Sequence, residues 1–139
     1  MSFLIDTNVV SEARKPRGNP QVKAWLTRIR GEDLYISVLL LGELRRGIAL
    51  LAGRDPEQAA VYERWLTRLR RDYADRILPV SAPVAEEWGR LNVPDPLPVV
   101  DGLLAATAKV HDLTLVTRDT TGFARTGVRL LNPFAGDSS

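Results

Sequence analysis

Short apolar runs alternate along the chain with longer segments in which apolar residues recur every three or four positions. The short runs predict five strands, at residues 3–5, 34–36, 77–80, 113–116 and 128–131. The longer segments predict helices at residues 9–13, 22–29, 38–51, 57–73, 82–91 and 99–110, separated by turns rich in glycine and proline. Strands that alternate with helices are typical of a parallel sheet covered on both faces, so we predict the α/β class. We expect one domain over residues 1–139, with residues 136–139 as a frayed tail.

The first predicted strand ends at a carboxylate. Residues 3–5 are followed directly by Asp6, Thr7 and Asn8. Thr7 and Asn8 are good N-cap residues, so a helix is expected to begin immediately after the strand. Ligands of open α/β sheets bind beyond the carboxyl ends of the strands, which would place Asp6 in a binding crevice. The alternative is that Asp6 serves only as a helix cap.

Composition narrows the chemistry that this chain can support. Hydrophobic residues make up 45% and charged residues 26% of the chain, as in ordinary globular proteins. The absence of cysteine excludes disulfides, cysteine-rich zinc sites and thiol nucleophiles, and it suits the reducing cytoplasm. The single histidine, His111, cannot supply a histidine-rich zinc site and is expected at the surface or at a helix end. No apolar run is long enough to span a membrane.

Arginine dominates the positive charge, although the formal net charge is only +2. Many of the arginines lie within residues 28–76. Arginine makes bidentate contacts to phosphate, so these residues predict a face that follows a nucleic-acid backbone. A solvated helix surface explains the same charges equally simply, and both interpretations stay open.

Four acidic residues stand where the pattern does not by itself require a charge: Asp6, Glu43, Asp101 and Asp119. Asp6 and Asp119 each lie at the end of a predicted strand and are therefore expected at the same edge of the sheet. Asp101 lies in the first turn of a predicted helix, on a stripe of apolar residues. Glu43 is the only acid in the apolar first half of another helix.

Each of the four acids also has a structural alternative. Asp101 would be stabilised by the dipole of its helix, Asp119 would form a turn, and Glu43 would pair with Arg45 or Arg46. Carboxylates gathered at one partly buried edge repel each other, so some of them would have to be protonated. A hard divalent cation removes this conflict, and Mg²⁺ or Mn²⁺ suits carboxylate and water ligands.

Several segments, in this order along the chain, resemble those of PIN-domain proteins. They are residues 5–8, 43–48, 100–101 and 115–119, with Phe123 following the last. The closing residues 127–133 resemble the plasmid-stability, FitB-like branch of the VapC toxins. Together these segments extend the resemblance over nearly the whole chain.

The resemblance implies a three-layer α/β/α sandwich with a central parallel sheet. It also implies a Mg²⁺- or Mn²⁺-dependent endoribonuclease, the toxin of a type II VapBC-like toxin–antitoxin system. A VapB-type antitoxin that silences the active site and a homodimer are the expected partners besides the RNA substrate. Carried over to this sequence, the metal-binding and catalytic acids are Asp6, Glu43, Asp101 and Asp119, supported by Thr7 and Thr117.

One difference from the family pattern concerns the last acid. Relatives often carry asparagine where this chain has Asp119, and a further acid where it has Gly122. The difference bears on the role of Asp119 and on a second metal ion. We predict hydrolysis of RNA phosphodiester bonds, with Arg45, Arg46 and Arg118 near the cleft to hold the backbone. The alternative function is a catalytically weak PIN module that acts through an antitoxin complex on operator DNA.

Overall fold

The protein, described here by a computed structural model over residues 1–135, contains one parallel sheet. The tail expected to fray, residues 136–139, lies outside the described residues. The five strands are β1 (Phe3–Ile5), β2 (Leu34–Ser37), β3 (Ile77–Leu78), β4 (Thr114–Val116) and β5 (Leu130–Leu131). Their order across the sheet is β3-β2-β1-β4-β5, and every neighbouring pair is parallel.

Helices connect the strands at nearly all of the predicted places. Over the described residues they are α1 (Thr7–Arg14), α2 (Pro20–Arg28), α3 (Val38–Ala52), α4 (Pro56–Asp72), α5 (Ala82–Leu91), α6 (Val99–Val110) and α7 (Thr120–Phe123). Three short 3₁₀ turns complete the described chain at Gly31–Asp33, Ala124–Thr126 and Pro133–Ala135. Within residues 1–135, no helix is both long and apolar enough to cross a membrane.

Alternation along the strands divides the core into two layers. Phe3 and Ile5 point to one face of the sheet, where they pack with buried residues of α1, α2, α3 and α4. Leu4 and Leu115 point to the other face, where they pack with buried residues of α6. Successive strand residues face opposite sides of a sheet, which produces this division. The three-layer α/β/α prediction is confirmed.

The start of α1 differs from the prediction. The N-cap residue is Asp6, whereas Thr7 and Asn8 already lie inside the helix. Asp6 has an extended backbone, and its Oδ1 accepts a hydrogen bond from the Thr7 backbone N–H at 2.7 Å. Asp6 is therefore a helix cap as well as a candidate site residue, and the two roles do not exclude each other.

The two edge strands are shorter than the sequence indicates. β3 ends at Leu78 because Pro79 has no N–H to donate to the neighbouring strand. β5 includes only Leu130 and Leu131, although the apolar run begins at Val128. Val128 instead packs into the layer beneath α6.

The strand order places a topological switch between β1 and β4. From β1 the chain builds the sheet outward through β2 and β3, whereas β4 and β5 lie on the opposite side of β1. Ile5 pairs with Val116, so the residues that follow both strands emerge together at one edge. Such a switch is where open α/β sheets form a crevice that binds ligands.

Candidate active site

The switch point joins Asp6 to Thr117. Asp6 N–H donates to the Val116 carbonyl at 2.9 Å, which continues the β1–β4 pairing by one residue. The Thr117 hydroxyl then donates to Asp6 Oδ2 at 2.8 Å. The two strand ends are thus tied together by side chains as well as by backbone.

Thr117 is fully buried, and its hydroxyl is the centre of a small polar network. Besides donating to Asp6, the oxygen accepts a bond from the Asp119 backbone N–H at 3.0 Å and one from Asn8 Nδ2 at 3.3 Å. A buried hydroxyl that uses its donor and both lone pairs is fully satisfied. The network fixes the orientation of the Asp6 carboxylate.

Asn8 belongs to the same network, although the sequence indicated only a cap role for it. Its Nδ2 also contacts Asp6 Oδ2 at 3.3 Å, and its Oδ1 accepts from the Arg118 backbone N–H at 3.3 Å. Asn8 therefore connects α1 to the turn after β4. Its place beside Asp6 was visible in the sequence, but its contact with residues more than a hundred positions away was not.

Glu43 lies on α3 and joins the cluster through Thr7. The Thr7 hydroxyl donates to Glu43 Oε1 at 2.5 Å. The expected alternative, an ion pair with a neighbouring arginine, does not occur within the described residues, because Arg45 binds Glu63 of α4 instead. Glu43 is exposed, so a ligand can reach its carboxylate.

Asp101 comes from the opposite layer, in the first turn of α6. Burial raises the pKa of its carboxyl, and the negative charges of Asp119 and Glu43 raise it further. Leu104, Ala105 and Ala108 on the same helix face are buried, as the stripe predicted. Asp101 is only partly buried, because it stands at the exposed end of that stripe.

The pKa of the Asp6 carboxyl is also raised, and the charge of Glu43 contributes to both shifts. Burial is the largest cause of the raised pKa of Asp6, and hydrogen bonds from Thr117 and Thr7 oppose that effect. The charges of Glu43 and Asp101 raise its pKa further. Asp6 and Asp101 therefore repel each other across the end of the sheet, although they come from elements on different faces.

Asp119 is exposed, like Glu43, and caps α7. Its Oδ1 accepts a bond from the Gly122 backbone N–H at 3.0 Å. Its charge raises the pKa of Asp101, so it lies within electrostatic range of the other acids. His111, in contrast, is an exposed residue at the C-terminal end of α6 and takes no part in the cluster.

The donors suit a hard cation, but they are not drawn together around one point. Within residues 1–135, no three His, Asp or Glu side chains are grouped closely enough to bind an ion directly. The available donors are all oxygens, which Mg²⁺ and Mn²⁺ prefer. Mg²⁺ usually keeps several waters and uses one or two carboxylates, so widely spaced acids are compatible with it. The repulsion between Asp6 and Asp101 is the feature that a cation would relieve.

The sequence and the fold are similar to those of several known proteins. Toxin FitB of Neisseria gonorrhoeae is 38% identical over 137 residues, which cover 95% of this chain and 98% of that protein. VapC ribonuclease Y4jK of Sinorhizobium fredii is 31% identical over 138 residues, which cover 95% and 97%. The solved structure of FitAB bound to an IR36 DNA fragment contains a chain with a TM-score of 0.86 and 37% identity, with 95% of each chain covered. The PIN domain family model matches residues 3–128, and the chain belongs to that family, as its sequence segments predicted.

Proposed function

We propose that this protein is a metal-dependent endoribonuclease and the toxin of a VapBC-like toxin–antitoxin pair. The observation that carries the proposal is the coupling of acids from four separate segments at the switch point of the sheet. The pKa of Asp6 responds to Glu43 and Asp101, and the pKa of Asp101 responds to Glu43 and Asp119. Such a concentration of negative charge is unfavourable for the fold alone and is typical of a functional site.

Asp6 and Asp101 are the residues that we assign as direct ligands of the principal cation. Glu43 and Asp119 would bind it through water or complete a second site. A bound divalent cation would supply Lewis acidity for hydrolysis of a phosphodiester bond. The fit is one of donor type and charge, since carboxylate oxygens are what hard cations select.

The other residues of the cluster have supporting roles in this proposal. Thr117, Asn8 and the Thr7 backbone N–H hold both oxygens of Asp6 in place before any substrate binds. The Thr7 hydroxyl does the same for Glu43. Preorganised groups need no rearrangement during the reaction, which lowers its barrier. Thr7 and Thr117 are thus positioning residues.

The names of the relatives support the choice of partners. FitB is called a toxin, Y4jK a VapC ribonuclease, and the FitAB structure is a complex with DNA. We therefore assign RNA as the substrate and a VapB-type antitoxin as the inhibitor, with a homodimer as the expected assembly.

Cleavage of a panel of defined RNAs tests the proposal. The purified protein should cut RNA with Mg²⁺ or Mn²⁺ and should stop when EDTA is added. Asp6→Asn and Asp101→Asn should each lower the rate by about a hundredfold or more, since cation binding supplies several kcal/mol. Asparagine is also a good N-cap residue, so Asp6→Asn should keep the fold.

The matched control is Asp95→Asn, which removes a carboxylate of the same size from an exposed position whose charge is not among those that raise the pKa of Asp6 or Asp101. It should cleave RNA like the parent protein. Retained cleavage by both site variants, after ion-exchange repurification, would overturn the assignment of the site.

A second candidate function is supported by the DNA complex of a relative. A protein 37% identical to this chain is part of FitAB bound to an IR36 DNA fragment. In this alternative the chain is a catalytically weak module that acts through its antitoxin on operator DNA. Absence of cation-dependent RNA cleavage by the isolated chain, together with operator binding by the complex, would favour it over the nuclease.

A further inference from the structure

A groove of about 340 Å³ leads away from the acidic cluster between three helices. It begins at Thr7 and Glu43, which belong to the candidate active site. Along α1 the lining residues are four and then three positions apart, and along α4 they follow the same spacing, so each helix presents one face. The residues that line its far part are Ser11 and Arg14 of α1, Gly47 of α3, and Gln58, Tyr62 and Trp65 of α4.

Arg14 is the notable side chain of this groove. Its guanidinium lies 3.9 Å from the centre of the Tyr62 ring and 5.2 Å from that of Trp65. Its Nε is buried and has no hydrogen-bond partner within the described residues. None of the ion pairs found in residues 1–135 includes Arg14. A desolvated, charged donor without an acceptor is costly unless a ligand supplies one.

We propose that Arg14 binds a phosphate of the RNA substrate that flanks the scissile bond. This inference rests on the proposed nuclease function and extends it to a substrate-binding subsite. Arginine binds phosphate through two parallel N–H bonds, and the aromatic rings hold its planar group in one orientation. The occupant should be anionic, because Arg14 and Arg54 line the groove and Glu43 is the single acid among the lining residues.

The position of Arg14 sets which phosphate it meets. Arg14 lies seven residues after Thr7 on the same helix face, which corresponds to about 10 Å along the helix axis. We therefore assign Arg14 to a neighbouring phosphate of a strand that runs along the groove, rather than to the reacting phosphate beside Asp6.

Of the three arginines predicted from the sequence, two contact other side chains, and Arg46 does not line the groove. Arg45 is bound to Glu63, and Arg118 lies over the Phe134 ring and 3.8 Å from Glu12. The positive charges of Arg14 and Lys15 both act on the Tyr62 hydroxyl, which lines the groove. A hydrogen bond with Gln58, and then the charge of Arg14, lower the pKa of the Tyr62 hydroxyl.

Two variants test the subsite, each with a matched control. Arg14→Ala removes the proposed contact, and Arg28→Ala removes the same charge from the last turn of α2, outside the groove. Gly47→Leu fills the groove, where an added Cβ meets nothing within 4 Å. Leucine also favours the helix over glycine, so this variant should fold. Ala49→Leu adds bulk to an exposed position of the same helix that does not line the groove.

The measurement is the fluorescence anisotropy of a short fluorescein-labelled single-stranded RNA of mixed sequence, titrated with each protein in EDTA. Arg14→Ala should weaken binding about tenfold, as expected for a hydrogen-bonded charged contact. The slope of log affinity against log salt should fall by about 0.7, the value for one phosphate on a single strand. Gly47→Leu should weaken binding as well, and both controls should bind like the parent.

Equal affinities of Arg14→Ala and Arg28→Ala for RNA would overturn the proposal, and so would a parent protein that binds no RNA. If Arg14→Ala weakens only the binding of the antitoxin, the occupant is an acidic segment of that partner, and the RNA subsite is wrong. Because binding is measured without a cation, failure here is separate from failure of the nuclease proposal, which is judged by cleavage.

Discussion

The carboxylate of Asp119 occupies the space that a side chain at position 122 would need. The Gly122 N–H donates to Asp119 Oδ1 at 3.0 Å, and a Cβ built on Gly122 would lie 2.3 Å from Asp119 Oδ2. The Asp119 side chain is short and is held by this hydrogen bond. It could move away from an added Cβ only by breaking that bond. In this conformation the cap made by Asp119 leaves no room for a Cβ at position 122.

Gly122→Ala should therefore displace the Asp119 carboxylate. The expected result is a loss of about 1 kcal/mol in the free energy of unfolding, the usual value for a lost N-cap. Denaturant unfolding followed by circular dichroism measures it.

A double-mutant cycle identifies the cause. In an Asp119→Ala background the methyl group at 122 no longer meets a carboxylate, so Gly122→Ala should then cost little. Additive losses in the double variant would show that the two residues are independent.

Thr117→Val tests the polar network at the switch point. Valine has the shape of threonine but leaves the Asp119 N–H without its acceptor and removes one of the two acceptors of Asn8 Nδ2. The expected loss of stability is about 1–3 kcal/mol, the penalty for buried donors that lose a partner. RNA cleavage should fall about ten- to a hundredfold, because the Asp6 carboxylate is no longer held in position.

The same variant should change the pH profile of cleavage. The Thr117 hydrogen bond lowers the pKa of Asp6, so removing it raises that pKa further. Asp6 must be ionised to hold a cation, and the acidic limb of the profile should therefore move to higher pH. Thr117→Ser keeps the hydroxyl and serves as the control. An unchanged acidic limb in Thr117→Val would mean that Asp6 does not control it.

The sequence predicted the sheet and most helices, and it singled out the four acids, because these features depend on local pattern. Asp6 follows an apolar strand, and Asp101 opens an apolar helix, so each is visible within its own segment. The role of Asn8 and the partner of Arg45 were not predictable in this way. Both depend on contacts between residues far apart in the chain, which periodicity does not encode.

Arg14 is another residue whose surroundings could not be predicted from the sequence. In the sequence it is one arginine among many, at the end of a short helix. Its distinction comes from α4, whose Tyr62 and Trp65 rings lie against it. Charge counting along the chain cannot separate such a residue from solvated arginines, because only the fold determines which cations lack a partner.

Asp101→Asn should raise stability at neutral pH while it removes activity. The pKa of Asp101 is higher in the folded protein than in the unfolded chain, chiefly through burial. Ionisation therefore destabilises the folded state, so stability falls as pH rises from about 3.9 through the folded pKa. Asparagine does not ionise, and the melting temperature of the variant in EDTA should exceed that of the parent at pH 7.

The advantage of Asp101→Asn should vanish near pH 3, where both proteins are uncharged at this position. Added Mg²⁺ should stabilise the parent and reverse the order, because a ligand of the folded state raises its stability. Asp95→Asn, at an exposed position, should show neither effect. A parent protein that melts above Asp101→Asn in EDTA at pH 7 would contradict the assigned repulsion.

Glu12→Gln tests a hydrogen bond between α1 and the N-cap residue of α2. The pH dependence of its contribution to stability should be opposite to that of Asp101. Glu12 Oε2 accepts a bond from the Asn19 backbone N–H at 2.7 Å, which is the main reason why the pKa of Glu12 is lowered. A lowered pKa stabilises the fold above the unfolded value of about 4.3, and this contribution is lost as pH falls through the folded pKa. Glutamine keeps an acceptor but no charge, so the variant should melt below the parent at pH 7 and together with it at pH 3. Glu86→Gln, an exposed acid on α5, is the control, and a gap that widens toward acid pH would exclude this role for Glu12.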